Sequence, residues 1–191
     1  MPTIMTHAAV TWMLGKGLRW RRPARVAVIS ALCGVIPDLD AIGHQLGVPY
    51  LHHWGHRGLS HSLAFAFAFG VALSLCCVPP LTVGRSLQLW WRRLGWSLYF
   101  GLLMSTHGLL DMLTTGGHGV ALFAPYQHDR LFFPRLYRVV KVSPMGRSAL
   151  SWERLEPVLL SELYWIISPC LAVLMALALL HWIRARSAEV S

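Results

Sequence analysis

The sharpest chemical signal in the sequence is a histidine and an aspartate four residues apart, His107 and Asp111. On a helix that spacing puts both side chains on one face, so an imidazole nitrogen and a carboxylate oxygen can converge on one cation. Zinc takes both donor types at about 2.0–2.2 Å. The plain alternative is a His–Asp hydrogen bond with no metal. The pair lies in an apolar segment, however, where ionisable side chains are expensive and tend to be functional. A second cluster is His56-Arg57-Gly58-Leu59-Ser60-His61. A five-residue step turns two side chains about 140° apart on a helix, so both histidines meet one site only where the backbone turns, which Gly58 permits. Solvated loop histidines are the alternative, and His44, His52 and His53 nearby read as solvated or supporting residues. A third cluster is Pro37-Asp38-Leu39-Asp40. In extended backbone Asp38 and Asp40 project to the same side, suiting a bridging carboxylate and a partner that orients a histidine; an ordinary acidic helix terminus is the alternative. Three of the four aspartates fall in these motifs, which argues for a shared purpose. His7, near the chain start, and His118, in a Gly-rich turn seven residues after Asp111, complete the set.

A cation held by His and Asp with an open position lowers the pKa of water from about 15.7 to about 7. Asp40 or Asp38 is placed to orient or deprotonate that water. Arg57, between two candidate ligands, matches a phosphate oxygen through its planar guanidinium; a lipid-headgroup anchor is the alternative. The expected chemistry is metal-assisted cleavage of a phosphoester in or near the headgroup layer, with Asp40 and Arg57 as catalytic residues.

The elements that must position these residues are set by composition. Of 191 residues, 55% are hydrophobic and 13% charged, against about 25% charge in a soluble domain, which excludes both disorder and an ordinary water-soluble protein. Length fits one domain over residues 1–191, without room for a separate catalytic domain. The net charge of +9 is read as membrane topology and anionic lipid rather than nucleic acid. The four cysteines lie in apolar stretches without C-x-x-C spacing and suggest neither a disulfide framework nor a zinc ribbon. No small-residue cleavage site follows the basic run from Lys16 to Arg25, so the whole chain is kept.

Residues 6–18 read as a helix too short to span, with Thr6 as N-cap. Val26 to Ile36 is an apolar helix stopped by Pro37, and Gly43 to Ser60 reads as an irregular loop. Leu63 to Val78, with its flanks, is long enough to cross a membrane. Leu94 to Leu113 is a further apolar segment, carrying His107 and Asp111, and residues 114–157 form a mixed loop with short surface helices. Leu163 to Ile183, closed by Arg184 and Arg186, is the clearest transmembrane segment. Placing residues 16–25, 84–93 and 184–186 on one side gives it ten basic residues against seven, which puts the 84–93 loop in the cytoplasm and the His- and Asp-rich segments together on the other face.

The ordered pieces M-T-H-A-A-V, G-V-I-P-D-L-D, H-R-G-L-S-H-S and H-G-L-L-D-M-L-T-T-G-G-H-G-V-A-L-F-A-P, from Thr6 to Pro125, resemble the YdjM/YbcI family of bacterial inner-membrane proteins, described as membrane-bound metal-dependent hydrolases. That family is distantly similar to the all-helical group of zinc-dependent phospholipases C and single-strand nucleases. The resemblance implies His7, Asp38, His56 or His61, His107, Asp111 and His118 as metal ligands. Two departures separate the chain from that group: six residues precede His7, where the group uses its N-terminal amine, and no H-x-x-x-D/E pair follows His118. One or two ions, zinc first among them, are therefore expected instead of three, with Glu153 or Glu162 as an alternative carboxylate.

Two other classes compete. A haem-binding or ion-conducting bundle needs facing histidines or an ionisable pair at mid-membrane. An interaction module would use the basic, aromatic stretch from Arg130 to Arg147 as a membrane-surface helix, with nucleic acid the less favoured partner. The resulting expectation is an all-α, multi-pass bundle in the bacterial inner membrane, with about four hydrophobic helices, about three of them spanning, and a metal site at one membrane face. Its partners would be membrane lipid and a small-molecule or lipid phosphoester substrate.

Overall fold

The computed structural model describes residues 1–17, 23–77, 86–143 and 151–190. Two helix pairs form its centre. Helix α1 (Ile4–Gly17) packs along α2 (Pro23–Val35), and α4 (Leu63–Cys77) packs along α5 (Ser86–Met112). Between the pairs lies a short α3 (Ala41–Gln45), and the chain ends in α6 (Trp152–Glu162) and α7 (Ser168–Val190). All elements among the described residues are helical, and extended pairing is limited to the isolated bridges Thr114–Val140 and Val120–Leu131.

Small residues set the spacing within each pair. A side chain at Gly34 would lie 2.5 Å from the His7 carbonyl, and one at Gly70 would lie 2.5 Å from the Ser97 carbonyl. Such close backbone approach is the packing mode of helices that cannot rely on water exclusion. The core between the pairs gathers Cys33, Ala66, Phe100, Leu103 and Met104. A second core joins Val10 and Met13 of α1 to Val140 and Ile166, holding the C-terminal helix against α1.

Two helical stretches among the described residues are long and apolar enough to cross a membrane, Ala24–Gln45 and Trp152–Ser187. This corrects the expectation of four hydrophobic helices with three spanning. Helix α4 has 15 residues, about 22 Å, short of the roughly 20 residues a span requires. Helix α5 has 27 residues, but Arg92, Arg93 and a polar face through Ser97, Ser105, His107 and Asp111 dilute its hydropathy. Its first turns also occupy positions 86–93, expected as loop; positions 78–85, with Pro79 and Pro80, and much of the basic run after Lys16 lie outside the described residues.

The α-helical turns of α2 end at Val35, beside Pro37 as expected, but the chain stays helical. Pro37 sits in the first turn of a 3-10 segment, Ile36–Asp40, that links α2 to α3, a position where its missing N–H is tolerated. Asp38 and Asp40 are thus on helical, not extended, backbone. Helix α1 begins at Ile4, so Thr6 is inside its first turn and is not its N-cap. The expected surface helix between Arg130 and Arg147 is also absent from the described part of that stretch, where one 3-10 turn, Arg135–Tyr137, is the helical element. Arg130 and Arg138 turn inward instead, onto backbone carbonyls of Tyr50, His56, Thr114 and Thr115.

At the far end, α6 runs into α7 through a π turn, Leu163–Ile167. Pro169 supplies no N–H to the preceding turn, and Ser168 Oγ donates to the Leu163 carbonyl at 2.7 Å, so the irregularity has a local cause.

Candidate metal centre

Four segments deliver polar side chains to one buried point. The N-terminal turns of α1 bring His7, the 3-10 turn after α2 brings Asp38, the turn Leu59–His61 brings His61, and the last turns of α5 bring His107 and Asp111. His56 joins from the preceding loop. Three groups, His7–Asp38–His107, Asp38–His56–His61 and His61–His107–Asp111, each hold their ligand atoms within 4.8 Å of one another. They overlap at Asp38, His61 and His107, so six residues form one continuous cluster. His7, His107 and Asp111 have no exposed surface.

Hydrogen bonds fix which imidazole nitrogen faces inward. His107 Nδ1 donates to the Gly34 carbonyl at 2.8 Å. His56 Nδ1 donates to Asp40 Oδ1 at 2.6 Å. His61 Nδ1 donates to Ser60 Oγ at 2.9 Å, and that hydroxyl in turn donates to Asp40 Oδ2 at 2.6 Å, an oxygen 3.1 Å from His61 Nδ1. With each Nδ1 engaged by an acceptor, each Nε2 points into the cluster and is free to hold a proton or a cation. The Nε2 atoms of His61 and His107 face each other at 3.1 Å. A proton on one of them or a cation between them holds the pair at that distance, and two nitrogens bound to one tetrahedral zinc are separated by about 3.3 Å. Carboxylates close the arrangement: Asp38 Oδ1 is 3.3 Å from His107 Nε2 and 3.6 Å from His61 Nε2, and Asp111 Oδ2 is 3.5 Å from His61 Nε2.

The donor set fits a divalent cation. Both nitrogens of His7 and all four carboxylate oxygens of Asp38 and Asp111 are buried without a hydrogen-bond partner. Buried polar atoms are normally satisfied, and carboxylate oxygens left without hydrogen bonds around two inward-facing imidazole nitrogens have the donor chemistry that a cation site requires. The six donors exceed the four of one tetrahedral ion, so the cluster has room for two.

Electrostatics points the same way. Burial opposes charge on His61, but its contacts with Asp38 and Asp40 and the charge of Asp111 outweigh it and raise its pKa to about 9. Positive charge is therefore favoured at that Nε2. Burial and the neighbouring His107 lower His7 to about 4, despite Asp111, so His7 is a neutral imidazole at pH 7, the form that ligates metals. Burial would raise Asp111, but His7 and Arg57 hold it well below the usual carboxylate range.

Arg57 is 1% exposed and has φ = 62°, in the left-handed region that non-glycine residues seldom occupy. Its guanidinium donates to Gly116 O at 3.3 Å and Thr114 Oγ1 at 3.2 Å. Its Nε lies 2.8 Å from Asp111 Oδ2, yet it makes no aligned hydrogen bond, so that contact is charge attraction alone. Gly117, at φ = 90°, leaves the room: a Cβ there would lie 2.7 Å from Arg57 Nη1.

Two candidates find other places. His118 is exposed and packs its ring against Tyr50 at 5.0 Å, away from the cluster. Asp40 has its oxygens committed to His56, His61, Ser60 and the Arg57 N–H, which makes it a positioning residue for two imidazoles. Of the alternative carboxylates, Glu153 is exposed and Glu162 is buried but accepts from Thr3 N, Thr3 Oγ1 and Thr6 Oγ1 at the start of α1. That satisfies helix N-terminal donors 159 residues away. Sequence reasoning missed Arg130, whose guanidinium ties the His56 carbonyl and the Tyr50 carbonyl at 2.9 and 3.0 Å and so clamps the histidine loop. It also missed Gly34 and Gly108; a Cβ at Gly108 would lie 2.7 Å from the His61 carbonyl, so this glycine lets α5 press on the His61 turn.

Comparison with known proteins places this geometry in a family. No solved structure matches the chain. Inner membrane protein YbcI of Escherichia coli strain K12 is 37% identical over 174 residues, covering 88% of this chain and 92% of that protein. The YdjM inner membrane protein family matches residues 1–187, and with nearly the whole length covered the chain belongs to that family of inner membrane proteins.

Proposed function

We propose that this protein is a membrane-bound, metal-dependent hydrolase that cleaves a phosphoester with one or two divalent cations, zinc first among them, held by His7, Asp38, His56, His61, His107 and Asp111. The observation that carries the reading is the pair of inward-facing Nε2 atoms of His61 and His107, 3.1 Å apart, ringed by unpartnered carboxylate oxygens. When bound, such cations supply Lewis acidity, which lowers the pKa of water and polarises a phosphoryl oxygen. The protein's own groups do the rest. Asp40 holds the imidazoles of His56 and His61 in orientation, as carboxylates behind ligating histidines do. Arg57 presents a buried guanidinium that can pair with a phosphoryl oxygen. Burial of the cluster strengthens each of these charge interactions.

The test is turnover of a chromogenic phosphodiester, bis(4-nitrophenyl) phosphate, by detergent-purified protein loaded with zinc or manganese. Turnover is expected in the wild type and not in His107→Ala at equal metal-loading conditions.

A second reading is favoured by one observation, the absence of exposed surface on His7, His107 and Asp111. A closed centre of this kind is what a structural metal site looks like. Stoichiometric metal without turnover of any phosphoester, and a melting temperature that falls on metal removal, would decide for it.

A further inference from the structure

An apolar groove of about 460 Å³ lies between α1, α5 and α7. Its place relative to the metal centre follows from helix register. On α1 it is lined by Val10 and Leu14, three and seven residues past His7. On α5 it is lined by Leu103 and Tyr99, four and eight residues before His107. At about 1.5 Å per residue both walls begin about one turn from the cluster and lead about 12 Å away from it. The third wall is α7, through residues that include Val173 and Leu177. This helix belongs to the membrane-span candidate that is 6% buried, and it too runs away from the cluster end, where Glu162 is fixed to Thr3 and Thr6.

The groove is open where it meets α7. Leu14 on α1 and Val173 and Leu177 on α7 are 41%, 59% and 41% exposed, and α7 belongs to a stretch long and apolar enough to cross a membrane. One end therefore lies about one helical turn from His7 and His107, and the other is hydrocarbon-lined and opens beside the span candidate that holds α7. The complementary ligand is an amphiphile with an anionic phosphoryl head and a single linear chain.

We infer that the α1–α5–α7 groove is an acyl-chain subsite, and that the substrate of the metal centre is a lipid phosphoester drawn from the bilayer with one chain in this groove. The inference rests on the hydrolase reading for the identity of the reaction, but the chain site can be read without turnover.

The experiment uses metal-loaded protein in phosphatidylcholine nanodiscs and dodecyl phosphate carrying a diazirine at its terminal carbon. After irradiation, adducts are mapped by mass spectrometry. They are expected to concentrate on the groove-lining residues of α1, α5 and α7, above the level on the exposed α4 residues Val71 and Leu75. Val173→Trp is expected to remove the groove adducts and leave the α4 level unchanged. A second block from the opposite wall, Leu102→Trp, is expected to do the same; that residue is 61% exposed, so the fold tolerates the larger ring. A dodecyl trimethylammonium probe with the same diazirine is expected to label the groove no more than α4. Adducts spread evenly over α4 and the groove, adducts indifferent to both tryptophans, or equal groove labelling by the cationic probe would each overturn the assignment. Groove labelling by the phosphate probe with no phosphoester turnover would remove the hydrolase reading and leave the chain site standing.

Discussion

Asp40 touches no candidate cation ligand atom directly, yet it holds two imidazoles, so its removal separates orientation from ligation. Asp40→Asn keeps the shape and loses the charge. Metal affinity, read by competition with a chelator, is expected to fall about 10–100-fold, the usual effect of losing a carboxylate behind a ligating histidine. The fold is expected to survive, because Ser60 and the Arg57 N–H can still bond the amide oxygen. Histidine titration gives a second expectation for chelator-treated protein. His61, raised to about 9, contributes stability that is full below its unfolded value of about 6.5 and lost as pH rises through 9. His7, lowered to about 4, contributes stability that is full above 6.5 and lost as pH falls towards 4. The melting temperature of the metal-free protein is therefore expected to peak near pH 6.5, and adding zinc at pH 7.5 should flatten the alkaline fall because the cation replaces the His61 proton. A melting temperature that kept rising through pH 9 without metal would contradict the assignment of charge to His61.

Helix contacts decide whether those residues meet at all. Gly34 lets α2 approach α1 until its carbonyl reaches His107 Nδ1, and a methyl group there would press on the His7 carbonyl and Thr11 Oγ1. Gly34→Ala is expected to cost about 1–3 kcal/mol and to abolish stoichiometric metal binding, since it displaces His7 and His107 together. Gly70→Ala perturbs the α4–α5 contact at Ser97, away from the cluster. It should destabilise by a similar amount while the folded fraction keeps its metal, as chemical denaturation and elemental analysis on the same samples would show. This level of organisation was only partly legible in the sequence. The four-residue spacing of His107 and Asp111 places both in the cluster because both sit on one regular helix, and His56 and His61 both reach it because the chain turns between them. The roles of Arg130 and Glu162 left no local pattern, since each acts on backbone or hydroxyl groups 74 to 159 residues away. Pro37 marked the end of α2, but a proline that leads into extended chain and one that opens a 3-10 turn look the same in sequence, so the backbone of Asp38 and Asp40 was misread.

At the scale of the molecule, both candidate spans run away from the His–Asp cluster towards basic ends. Arg25 precedes the body of α2, and Arg184 and Arg186 close α7. Basic residues favour the cytoplasm, so a green fluorescent protein fused after Ser191 is expected to fluoresce and an alkaline phosphatase fused there to be inactive, placing the centre towards the opposite face. The reverse pair of results would invert the molecule in the membrane. Among the described residues, the number of spans was read too high from the sequence because apolar runs were counted without their partners. Helix α4 is apolar all along but short, and α5 uses its length to carry polar ligands into the interior. Apolarity therefore marked packing between helices as well as the capacity to span. The central claim, that six residues from distant parts of the chain form one cation site, is tested most directly by metal content. Elemental analysis of detergent-purified protein should find stoichiometric divalent metal in the wild type and its loss in both Asp38→Ala and His107→Ala, each still folded by circular dichroism. A wild type that retained no divalent metal after reloading, or variants that retained all of it, would contradict that claim.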